Sequence, residues 1–143
     1  MKIGIAADHH GVKLKSKIMK YLEHLGHEVL DYGTDMTDSV DYPEYAFKVG
    51  EALKEEIEIG ILLCGTGIGM SIAANKVKGV RCALVHDTKK AKLSREHNNA
   101  NVIALSSNLS MFRIKDILDV FVNTKFSNIE RHQRRVDMID NYK

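Results

Sequence analysis

The chain has 143 residues, 44% of them hydrophobic and 28% charged, with a formal net charge of +2. That length fits one domain of about 100–200 residues, with a core that can bury roughly 70% of the unfolded surface. It excludes separate cofactor and substrate domains, so a catalytic site has to lie within one domain, 1–143, or between copies of it. The balance of 21 Lys+Arg against 19 Asp+Glu argues against a dedicated nucleic-acid binder. No apolar run reaches the roughly 18–20 residues of a membrane span. Cys64 and Cys82 sit in apolar strand-like runs, not in a disulfide framework. A reducing, cytoplasmic setting is therefore expected, and the first residues lead directly into a strand with no signal-peptide pattern.

Lys2–Ala7 reads as a buried strand, and residues 12–25 carry Ile18, Tyr21, Leu22 and Leu25 at helical spacing. Gly26 is placed to end that helix. Residues 28–32 form the second predicted strand, and 33–42 a polar loop. Pro43 suits a first helical turn, continued over 45–54. Ile59–Cys64 is an almost wholly apolar third strand, followed by a glycine-rich turn over 65–69 and a helix over 70–76. Strands at 82–85 and 102–105 bracket a polar helix at 88–96. An apolar helix at 110–123 and a basic one at 129–141 complete the chain.

Five strands alternating with helices imply βαβ units and a parallel sheet. Continuous apolar strands imply that helices cover both faces. The expected fold is α/β, a three-layer αβα sandwich around a five-stranded parallel sheet of Rossmann-like type. Ligands of such sheets bind at the carboxyl ends of the strands. Asp8-His9-His10-Gly11 follows the first strand, Cys64-Gly65-Thr66-Gly67-Ile68-Gly69 the third, His86-Asp87 the fourth and Ser106-Ser107-Asn108 the fifth. The helix before the fifth strand runs out through His97-Asn98-Asn99, and these residues are expected to join the same cluster.

Gly65, Gly67 and Gly69 alternate, which exposes successive backbone N–H groups ahead of a helix N-terminus. Such a turn suits a phosphate or an oxygen that gains charge during reaction. It also serves as a plain tight turn with close packing. A dinucleotide fingerprint does not fit, because G-x-G-x-G after a third strand is not G-x-G-x-x-G after a first one, and Asp87 does not repair the spacing.

Cys64 opens this turn beside backbone donors, an environment that favours thiolate and lets the sulfur act as base or nucleophile. Cys82, inside a strand, reads as a small buried hydrophobe. His9 and His97 are candidate general acids. The chain lacks Cys-x-x-Cys and His-Glu-x-x-His, and adjacent His9 and His10 are not a standard metal-ligand spacing, so no metal is expected. Arg131 and Arg135 lie four apart on one helix face, suited to a phosphate. Ile129, His132, Val136 and Ile139 are expected to form an apolar stripe beside them. A solvated basic helix is the plainer alternative.

Taken together, Asp8-His9-x-Gly11, Asp41-Tyr42-Pro43, Cys64 through Gly69 followed by Ser71 through Lys76, His97-Asn98, and Arg131-His132-Gln133-x-Arg135-Val136 resemble the ribose-5-phosphate isomerase B family over essentially the whole chain. That group also includes galactose-6-phosphate isomerase subunits. The resemblance implies an aldose–ketose isomerase that interconverts ribose 5-phosphate and ribulose 5-phosphate through an enediolate. It implies no metal and no cofactor. It also implies a homodimer with a shared active site, often paired into a tetramer.

By motif, Cys64 resembles the base that moves the proton between C1 and C2. His97 resembles the ring-opening acid, with Asp8 and Thr66 assisting. Gly65, Thr66, Gly67, Ile68 and Gly69 would hold the enediolate oxygens, and Tyr42 would line the sugar pocket. His9, Arg131 and Arg135 would bind phosphate, and Asn98 a sugar hydroxyl. Many members carry arginine where this chain has Asn108, which brings a related aldose 6-phosphate of allose or galactose type into consideration. A non-enzymatic phosphate-binding module is the alternative of a different class; it would need neither Cys64 nor His97.

Overall fold

A computed structural model describes residues 1–143. In chain order the elements are β1 (Lys2–Ala7), α1 (Val12–His24), β2 (Glu28–Asp31), α2 (Tyr42–Ala52), β3 (Ile59–Cys64), α3 (Ile68–Ala74), β4 (Cys82–Leu84), α4 (Thr88–Asn98), β5 (Val102–Ser106), α5 (Met111–Asn123) and α6 (Glu130–Asn141). The five strands form one sheet in the order β2-β1-β3-β5-β4, and every neighbouring pair is parallel. No helix is long and apolar enough to cross a membrane.

The period-2 alternation of strand side chains divides the interior into two cores. Ile3, Ile5, Ala7, Ile59, Ile61, Leu63, Ile103 and Leu105 face one side, against Ile18 and Leu22 of α1 and Ile114, Leu118 and Phe121 of α5. Ala6, Leu62, Cys64, Val102 and Ala104 face the other, against Ala46 and Val49 of α2 and Met70 and Ala74 of α3. Both faces are covered, so the strands need no polar alternation, as expected for a three-layer αβα arrangement.

Local chemistry sets several element boundaries. Gly26 follows α1 at φ +94°, the left-handed conformation that ends helices. The Asp87 carboxylate accepts the Lys90 N–H at 2.8 Å and caps α4. The Ser110 hydroxyl does the same for α5 through Arg113 N–H at 3.2 Å, so Ser110 precedes the helix instead of opening it. Asp87 is thus a helix cap and not a ribose ligand.

Strand order places the functional crevice. The chain goes from β1 outward to β2, then crosses back to β3 on the other side of β1. The connections diverge above the β1/β3 boundary, which opens a crevice at the carboxyl ends of these strands. Asp8 and Cys64 both lie there, and the Asp8 N–H donates to the Leu63 carbonyl at 3.0 Å.

One expectation is corrected. The residues at the end of α4 do not join this cluster. A helix that leaves the carboxyl end of β4 runs back down the sheet, so it ends at the opposite edge. Ser106 is the register partner of Cys64, whereas Val102 pairs with Gly60. Those four steps, at about 3.3 Å each, span roughly 13 Å. His97 and Asn98 precede Val102, beyond the far edge. The helix is also longer than predicted, so both residues belong to its last turn.

Candidate active site

The turn after β3 builds one half of the site. Gly67 sits at φ +80°, and a Cβ there would come within 2.7 Å of Leu84 Cδ1 and 3.1 Å of the Leu105 carbonyl carbon, so only glycine fits. This bends the chain back until the Gly67 N–H donates to Cys64 Sγ at 3.1 Å. The Cys64 residue is 6% exposed. The next N–H, of Ile68, donates to Thr66 Oγ1 at 3.2 Å. Two of the amides expected to point outward are therefore engaged inside the turn, one by the thiol and one by the threonine. Thr66 and Ile68 are exposed, and the Tyr42 ring covers Gly69, where a Cβ would stand 2.5 Å from Tyr42 Cζ.

Asn108 braces the turn from β5. Its side-chain amide donates to the Gly65 carbonyl at 3.3 Å, beside the Ser106 hydroxyl, which donates to the same oxygen at 2.7 Å. Asn108 thus helps to hold the turn in place.

Asp8 is buried, and its carboxylate accepts the His10 backbone N–H at 2.9 Å; His10 Nδ1 lies 3.3 Å from its other oxygen. His10, unassigned from sequence, therefore orients Asp8. The Asp-x-His spacing of an Asx turn carried that signal. His9 accepts the Val40 N–H on Nδ1 at 3.4 Å and lies ring to ring with His10 at 4.0 Å. Ligand atoms of Asp8, His9 and His10 all lie within 4.8 Å of one another, so the turn gathers three groups able to hold a metal ion although their sequence spacing matches no known motif.

The second half of the site lies on α4 and α6. The His97 ring packs on His132 at 4.4 Å and 35°, and His97 Nε2 lies 3.7 Å from Glu96 Oε1. His132 is buried, and its Nδ1 meets the Ser127 hydroxyl at 2.7 Å. Burial first, then the charges of His97, Arg131 and Arg135, push its pKa down, against a smaller opposing pull from Glu96. The cationic form of His132 is thus disfavoured beside His97. The sequence reading placed it in an apolar stripe, and it is buried as expected, but its partner is a functional candidate.

The stripe itself is only half realised: Val136 is buried with His132, whereas Ile129 and Ile139 are 43% and 55% exposed. Arg131 and Arg135 are exposed and enter no ion pair, while Arg134 is bound by Glu130 at 2.8 Å. Asn98 is exposed beside His97.

One chain therefore carries two separate groups of candidate residues. Asp8, His9, Tyr42, Cys64, Gly65, Thr66, Gly67, Ile68, Gly69 and Asn108 gather at the carboxyl edge of the sheet. His97, Asn98, Arg131 and Arg135 gather near the opposite edge. A thiol held by an amide, a buried carboxylate and a glycine-rich turn ahead of a helix are the parts that a proton-transfer site beside a carbonyl needs.

That combination on a doubly wound sheet defines a class of sugar-phosphate isomerase, and comparison with known proteins agrees. The family described as Ribose/Galactose Isomerase matches residues 3–139. The chain belongs to this family, in the ribose-5-phosphate isomerase B branch. Ribose-5-phosphate isomerase B of Escherichia coli is 41% identical over 96% of this chain and 93% of its own. The crystal structure of a ribose 5-phosphate isomerase from Thermotoga maritima superposes with a TM-score of 0.94 at 47% identity, covering 99% of this chain and 98% of that one. Ribose-5-phosphate isomerase B of Mycoplasma genitalium, solved with bound ribulose 5-phosphate, gives 0.93 at 44% identity over 99% and 95%.

Proposed function

We propose that the protein interconverts ribose 5-phosphate and ribulose 5-phosphate through an enediolate, at a site completed by two copies of the chain. The observation that carries this reading is the seating of Cys64 Sγ at the carboxyl end of β3, against the Gly67 N–H, on the strand that neighbours the one leading into Asp8. Relatives of this branch over nearly the full chain support the substrate.

In this mechanism His97 gives a proton to the ring oxygen while Asp8 takes the proton of the anomeric hydroxyl, and the furanose opens to an aldehyde. Cys64, as thiolate, removes the C2 proton. Negative charge moves to the carbonyl oxygen, where the backbone amides of the 65–69 turn that Cys64 and Thr66 leave free receive it, with Thr66 fixing the turn. The C2 hydroxyl proton passes to the C1 oxygen, and the proton held by Cys64 returns at C1, which gives the ketose. His9, Arg131 and Arg135 clamp the phosphate and so set the register of the reacting carbons. Tyr42 lines the sugar pocket and Asn98 binds a hydroxyl.

A second copy is required because His97 and the arginines cannot reach Cys64 across their own sheet. Ile68 and Ile72, one turn apart on α3, are 50% and 61% exposed beside the glycine turn, and Met138 and Ile139 are exposed on α6. These apolar side chains fit burial between two subunits. The unpaired Cys64 and Cys82 fit a reducing cytoplasm.

Neutral Asn108 leaves the phosphate end one cation short of many relatives, so substrate length needs its own test. Ribose 5-phosphate, allose 6-phosphate and galactose 6-phosphate are each assayed for ketose formation with a chelator present. Ribose 5-phosphate is expected to turn over fastest, with no effect of the chelator. Faster turnover of a hexose 6-phosphate would reassign the substrate, and no turnover of any of them would leave a phosphate-binding module.

A further inference from the structure

One of the largest fully buried side chains is charged. Lys15, on the inner face of α1, is 1% exposed. Its three N–H donors are all used, two by Asp31 at 2.7 and 2.9 Å and one by Asp35 at 2.9 Å. Burying an ammonium is a poor route to stability, because an apolar side chain of the same volume does as well or better. Its positional information is different. The two carboxylates flank the turn at Gly33, which sits at φ +98°, and only a multivalent donor holds both.

The held segment leads to the site in a few steps. Asp31 also accepts the Gly33 N–H at 2.8 Å. The Gly33 carbonyl accepts the Ala7 N–H at 2.7 Å, and the Thr34 N–H donates to the Ala7 carbonyl at 2.8 Å, next to Asp8. Thr34 is 3% exposed. From this anchor the chain passes to Val40, whose N–H donates to His9, and to Tyr42, whose ring covers Gly69. The Lys15 ammonium also holds the Asp35 carboxyl below its usual range, first through the hydrogen bond and then through charge, although that side chain is 83% exposed.

We infer that Lys15 is a positioning residue: by clamping Asp31 and Asp35 it fixes the segment 33–41 on the end of β1, and through Val40 and Tyr42 it sets His9 and the sugar pocket for the substrate. The inference rests on the proposed assignment of His9 to phosphate and Tyr42 to sugar.

Lys15→Met keeps length and volume without the charge, and Asp35→Asn changes only an exposed partner and keeps the fold should Lys15→Met fail to. For both, KM and kcat for ribose 5-phosphate, inhibition by inorganic phosphate, and amide hydrogen exchange over 33–41 are measured on folded protein. Lys15→Met is expected to raise KM and the phosphate inhibition constant about tenfold, to change kcat less than about threefold, and to speed exchange at Val40. Asp35→Asn is expected to shift the same quantities less, in the same direction. Unchanged KM and phosphate inhibition in both variants, with only a lowered melting temperature, would make Lys15 purely structural and overturn the inference. If the unaltered protein turned over no aldose phosphate, the functional reading would fail, and phosphate affinity and exchange would still decide the role of Lys15.

Discussion

Replacing Cys64 by alanine is expected to lower kcat on ribose 5-phosphate by about 10²–10⁴-fold, the range over which a positioned proton-transfer group acts. The sulfur stands at the carboxyl end of β3 with its direction fixed by the Gly67 N–H. Removing it from a residue that is 6% exposed costs about 1–2 kcal/mol of stability, so the fold is expected to survive. Cys64→Ser separates basicity from geometry. Its hydroxyl can still accept from Gly67, yet it is a far weaker acid than a thiol and should be nearly as inactive. Binding of inorganic phosphate serves as the control and should change little. Near-normal turnover by Cys64→Ala would remove the sulfur from the chemistry.

Arg131→Ala and Arg135→Ala are each expected to raise KM by about tenfold or more, and the double variant by about 10²-fold or more. A charge-assisted hydrogen bond contributes about 1.5–3 kcal/mol, and two guanidinium groups on one helix face can share one phosphate. Neither arginine enters an ion pair, so their loss should leave stability nearly unchanged. Arg134→Ala is the internal control. It removes equal charge from the same helix but from a side chain bound by Glu130 at 2.8 Å, and KM should stay within about twofold, because surface pairs of this kind contribute little. Equal effects from all three arginines would point to general electrostatics and not to a phosphate clamp.

Strands were legible in the sequence because burial on both faces leaves continuous apolar runs. Lys2–Ala7 and Ile59–Cys64 are recovered to the residue, and helix ends shift by no more than two. The crevice residues after β1 and β3 followed from the rule of strand ends. What misled was direction. His97 and Asn98 follow a helix and not a strand, and a helix in a βαβ unit carries its last residues to the far edge. Polar positions also hid two structural roles. Lys15 went unremarked in the sequence, since no local pattern reveals carboxylates at 31 and 35 converging on it. His132 reads as part of an apolar stripe, since burial and stacking on His97 are tertiary facts. Thr66 was read as assisting ring opening, and its hydroxyl also closes the turn by accepting from Ile68.

The separation of the two half-sites makes subunit mixing the most direct measurement. Cys64→Ala and His97→Asn proteins, each inactive alone, are co-expressed with different tags, and the hybrid dimer is isolated. In a two-fold symmetric dimer one hybrid site carries both defects and the other carries neither. The hybrid is therefore expected to regain about half of normal activity, and an unsorted equimolar mixture about a quarter. A verified hybrid as inactive as its parents would mean that Cys64 and His97 do not meet across the two chains.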